Sequence, residues 1–108
     1  MANTDAQPFK IPRPYTYQDG VDYEDITGNV TLTHASGTYQ FLKDNGGSFD
    51  INLPSLRNGA TYWIRSRASS GGTMTIKDHT GATITTLTAG QAAHVASNGV
   101  YWLMVFKA

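Results

Sequence analysis

From residue 28 onward, glycines or glycine pairs at 28, 37, 46–47, 59, 71–72, 81, 90 and 99 divide the chain into short runs rich in Thr, Val, Ile, Tyr and Trp. Turn signals about 8–12 residues apart mark an all-β sandwich or barrel. The runs predict eight strands, at 29–34, 38–43, 48–53, 61–67, 73–78, 83–87, 91–96 and 100–106. Several alternate cleanly, as a half-buried strand must. Val30, Leu32 and His34 share one face of their run; Phe49, Ile51 and Leu53 point inward, with Ser48, Asp50 and Asn52 outward; Met74 and Ile76 point inward. Asn45-Gly46-Gly47, Asn58-Gly59 and Asn98-Gly99 supply turn residues that tolerate positive φ. No window carries the i, i+3, i+4, i+7 spacing of a capped helix. The expected fold is a small jelly-roll-like antiparallel sandwich or barrel. Its last strand, residues 100–106, is apolar on both faces, which favours cover by another subunit or by the N-terminal segment.

The first 25 residues follow other rules. Pro8, Pro12 and Pro14 exclude a helix and disfavour an inner strand. Phe9, Ile11, Tyr15 and Tyr17 are too apolar for a simple solvated tail, and Asp19, Asp22, Glu24 and Asp25 follow them. The chain therefore divides into an extended Pro/Tyr-rich arm, 1–25, and a β domain, 26–108. The acidic cluster reads either as a solvated linker or as a docking element.

Composition narrows the function. The net charge is zero, with −3 in residues 1–27 and +3 in the remainder, so no strong field draws nucleic acid or an anionic membrane. There is no cysteine for a disulfide or thiolate metal site, no apolar run long enough to span a bilayer, and no signal-peptide pattern at the start. Assembly in a cytoplasm is expected. His34, His79 and His94 read as core or turn residues, and no nucleophile, base and orienting group share an element. No paired-histidine spacing suggests a metal, the glycine of DGVDYED stands in the wrong place for a calcium loop, and no glycine-rich turn opens a helix for phosphate. No enzyme activity, cofactor or metal is expected.

The most suggestive surface run is TYWIRSR, residues 61–67. With Tyr62 and Ile64 facing the core, Trp63, Arg65 and Arg67 align outside, and Trp and Arg are enriched at interface hot spots. The alternatives are an ordinary sheet surface with arginine stems over Trp63, a sugar-stacking site, or an exposed base.

The runs ITGNVTLTHASGTYQFL and, later, SFDINLPSLRNGATYWIRSR to NGVYWLMV resemble small β domains of tailed-phage virion proteins. The matching positions are Leu53 and Pro54, Gly59, then Ile84, Thr86, Leu87 and Gly90, then Asn98, Gly99 and Trp102, and the resemblance covers residues 26–106. Together with the chain length, it implies a head decoration, or cement, protein. Such proteins commonly form homotrimers outside the capsid, bridge major capsid proteins and resist the pressure of packaged DNA. The alternative is a tail, head-fibre or receptor-binding domain that touches host glycans. On this reading the partner-binding residues are Phe9, Ile11, Pro12, Pro14, Tyr15 and Tyr17 of the arm, with Trp63, Arg65 and Arg67 of the body. An extended arm of this length reaches roughly 75 Å at about 3.1 Å per residue, enough to strap the protein to the capsid or to a neighbouring subunit.

Overall fold

A computed structural model describes residues 20–67 and 71–108. Nine strands form among them: β1 (Val21–Asp25), β2 (Val30–Thr31), β3 (Tyr39–Lys43), β4 (Ser48–Asn52), β5 (Thr61–Ser66), β6 (Thr73–Lys77), β7 (Thr83–Leu87), β8 (Ala92–Ser97) and β9 (Trp102–Lys107). No helix occurs among the described residues. The expected strands are present, within a residue or two at each end from β3 to β9, while the first expected strand shortens to two residues.

Two sheets result, ordered β9-β8-β5-β3-β1 and β2-β4-β6-β7. The chain alternates between them from β1 to β6, so each strand lies parallel to the one laid down a full turn of chain earlier. In the first sheet Val21 pairs with Tyr39 and Tyr39 with Trp63; in the second Val30 pairs with Ile51 and Ile51 with Ile76. Antiparallel pairing is confined to β6–β7, β5–β8 and β8–β9. These mixed sheets correct the antiparallel arrangement expected from turn spacing. Parallel neighbours need a crossover of about a dozen residues or more, and here a strand in the facing sheet serves as the crossover. A turn signal records only that the chain bends, not whether it returns beside the same strand.

The core lies between the sheets. Leu42, Tyr62, Ile64, Ala93 and Val95 from the first meet Ile51, Met74, Ile76 and Leu87 from the second, all fully or almost fully buried. Phe49 packs against this core and Asn45, Gly46, Gly59 and Gly99 take positive φ, as their sequence positions predict. Trp102 closes one end: its indole lies 5.9 Å from the Tyr62 ring and donates from Nε1 to the Pro54 carbonyl at 3.0 Å.

Successive turns of chain meet most closely beneath the β3–β4 turn. Buried Asp44 accepts three backbone N–H bonds through Oδ1, from Gly46 at 2.9 Å, Gly71 at 3.1 Å and Gly72 at 2.9 Å. One carboxylate thus fixes its own turn and the strand entry of the following turn. A Cβ on Gly72 would lie 1.8 Å from the Gly47 carbonyl oxygen, so only glycine fits.

The segment 21–25, placed in the arm by its sequence, pairs as the edge strand β1. Its acids serve as ties. Asp22 accepts from Gln40 Nε2 at 2.6 Å and from the Gly37 amide at 3.2 Å, and Asp25 pairs with Arg67.

Replacing Asp44 with Ala removes the shared acceptor of three part-buried backbone donors and is expected to cost about 1–3 kcal/mol in denaturant unfolding, with Asp44→Asn losing less because an acceptor remains. Gly72→Ala should destabilise more than Gly81→Ala in the same assay, since the Gly81 site is sterically open and only its positive φ opposes a side chain.

Candidate binding face of the five-stranded sheet

Directly paired residues point to the same side of a sheet. Register therefore carries one row across the five-stranded sheet: Val21, Tyr39, Trp63, His94 and Phe106. A second row holds Tyr23, Phe41, Arg65 and Ala92. Because Tyr62 and Ile64 are fully buried, both rows lie on the outer face. Phe106 joins through an irregularity in β9: Met104 pairs with Val95 and Phe106 with His94, so one extra residue turns Phe106 outward.

Large apolar side chains are consequently left in solvent, with Val21 59%, Tyr23 69%, Tyr39 45%, Trp63 38% and Phe106 55% exposed. A groove of about 270 Å³ lies between Tyr39, Phe41, Trp63, Arg65 and Ala92. In β9, Leu103, Met104 and Val105 are also exposed, and only Trp102 is buried. Among the described residues, nothing covers the last strand beyond Trp102.

Two contacts stiffen the face. The Trp63 and His94 rings stack at 4.0 Å with 10° between their planes. His94 Nε2 lies 2.6 Å from Thr61 Oγ1, which itself donates to the Val95 carbonyl at 2.9 Å. Burial disfavours the imidazolium and pushes the His94 pKa down. At the other edge, the Arg67 guanidinium lies 4.1 Å over the Tyr23 ring and donates to the Glu24 carbonyl and to Asp25.

Trp63 and Arg65 thus stand on the outer face as their alternation with Tyr62 and Ile64 requires. Arg67 lies over Tyr23 on the same face, but its side chain, 16% exposed, is engaged in holding β1. Phe9, Ile11, Pro12, Pro14, Tyr15 and Tyr17 lie outside the described residues. Tyr23, Tyr39, Phe41 and Phe106 belong to the face without having been expected there. In β3 the available signal was parity, since Gln40 and Leu42 are buried while Tyr39 and Phe41, alternating with them, are turned out. His34 caps a turn, with Nε2 2.9 Å from the Ser55 carbonyl, and His79 lies in the β6–β7 turn. Among the described residues, no three His, Asp or Glu side chains gather to hold a metal, and no helix is long and apolar enough to cross a membrane.

Two outcomes follow from these contacts. Arg67→Ala should lower hydrogen-exchange protection across residues 21–25 while sparing β5 and β8, and Arg67→Lys should not restore it, because lysine lacks the planar fork. His94 is held neutral in the fold, so the unfolded chain binds its proton more readily. The His94 contribution is therefore complete above the unfolded histidine pKa of about 6.5 and declines as pH falls through the lower folded value. Thermal melts should show that decline in the wild type and a flatter profile over the same window in His94→Gln.

No family model, curated protein or solved structure matches this chain.

Proposed function

We propose that this protein is a non-enzymatic capsid decoration protein of a tailed phage, docking on the outer surface of the assembled shell and stabilising it. The observation that carries the reading is the outer face of the five-stranded sheet, where a connected set of large apolar side chains surrounds Trp63 and Arg65. Contiguous apolar surface of this kind marks an interaction site. Trp and Arg at its centre are the residues that most often dominate interface energetics. The sequence resemblance supplies the virion context, and the Pro/Tyr segment ahead of Gly20 adds a fastening strap at the same edge. Association into a homotrimer on the capsid exterior belongs to the same proposal.

A second reading, a fibre or receptor-binding domain, is favoured by the groove itself. Tyr39, Phe41 and Trp63 offer ring faces beside the Arg65 donors, a combination suited to a sugar ring.

Co-sedimentation with expanded, undecorated capsids of the parent phage separates the readings. The full chain should saturate the shell, a chain lacking residues 1–17 should not, and Trp63→Ser should weaken binding on the order of 30-fold, as for a hot-spot residue. Absence of binding by the full chain rejects the decoration reading; a host-glycan array then tests the second.

A further inference from the structure

The strands β1, β3 and β5 form a parallel half-sheet, and parallel sheets ordinarily have both faces covered. Here one face meets the core, and among the described residues nothing covers the other. Val21, Tyr23, Tyr39, Trp63, Leu103 and Phe106 all stand exposed on it, and contiguous apolar surface of this kind ordinarily has an occupant.

We propose that the occupant of this face is residues 8–17 of the same chain, PFKIPRPYTY, seated in the groove between Tyr39, Phe41, Trp63 and Arg65. The proposal does not depend on shell binding, and it replaces the free strap: a seated segment covers the groove, so a shell would meet the segment and the rim of the face together.

The chain itself points to this occupant. Gly20, with φ of 96°, precedes Val21, the first member of the outer row, and its carbonyl accepts the Tyr39 amide at 3.2 Å. The segment therefore reaches the body beside Tyr39. From there the sheet is four strand spacings wide, about 19 Å at 4.8 Å each. Phe9 stands eleven residues before Gly20, about 34 Å at 3.1 Å per residue in a polyproline conformation. The segment thus spans the face with length to spare. Tyr17 falls within reach of Tyr39 and Trp63, and Phe9 and Ile11 within reach of Phe106 and Leu103.

Chemistry agrees with reach. Aromatic grooves bind proline-rich chains because the rings stack on pyrrolidine faces and the ligand is already restricted before it binds. Attachment to the same chain adds an effective concentration in the millimolar range. A segment held this way would meet a partner as an ordered surface and not as a free tail, which lowers the ordering cost of association.

The chain has no cysteine, so engineered thiols report proximity without background. In the full chain, Thr16→Cys is combined with Ala92→Cys, which lines the groove, or with Thr86→Cys, on the exposed side of the second sheet. Under mild oxidation the first pair should close within one chain at least about tenfold faster than the second, as expected for a seated segment. Adding Tyr17→Ser should bring the first pair toward the slower rate; circular dichroism and melting confirm that the variants are folded. Equal rates for the two pairs overturn the proposal. So does a Thr16–Ala92 bridge found between chains, which would seat the segment on a second copy. Capsid binding that persists alongside equal rates removes this inference and leaves the shell reading standing.

Discussion

The structure depends on one turn of chain lying directly on the next, and that stacking is tightest where Gly72 meets the Gly47 carbonyl. No side chain fits between these backbones. Asp44 holds the approach from beneath by collecting the amides of Gly46, Gly71 and Gly72. The parallel pairing of β4 with β6 starts at this point, with Ser48 opposite Thr73, and the alternation of buried Ile51, Met74 and Ile76 follows from that starting register. A slip of one residue would turn each of these side chains away from the core.

The same winding explains the uneven surface. The two sheets use their inner faces to build a single core, and the antiparallel strands β7, β8 and β9 complete them. The five-stranded sheet then carries an outer face on which aromatic residues from separate turns of chain come into register. Its edge strand β1 buries almost none of its side chains, so it needs ties of its own, which Asp22, Asp25 and Arg67 provide. Charges that looked like the mark of a linker are in large part spent on fastening that strand.

Much of this was legible in the sequence and some was not, for physical reasons. Glycine spacing and alternation located β3 to β9, because turn chemistry and burial are local properties. Strand direction escaped, since the same turns serve a return to the neighbouring strand and a crossing to the other sheet. β1 was concealed by the prolines ahead of it and by its acids, whose partners Gln40 and Arg67 are distant in sequence. Trp63 and Arg65 were visible by parity against Tyr62 and Ile64. Phe106 was not, because strict alternation places it with Met104, and the extra residue in β9 reverses that assignment. Asp44 reads as one more surface charge until the amides that converge on it are known.

The winding also bears on how far each strand must reach along the chain to find its partner. From β1 to β6 each strand pairs with one laid down only 18 to 25 residues earlier, as in Val21 with Tyr39 and Ser48 with Thr73. Short separations of this kind keep the entropy of closing each loop low. A chain emerging from the ribosome can add these turns one after another in the direction of synthesis. β8 must instead reach back across β6 and β7 to join β5, with Thr61 opposite Ala96. The five-stranded sheet, and with it the complete aromatic row, therefore comes into being only when nearly the whole chain has been made.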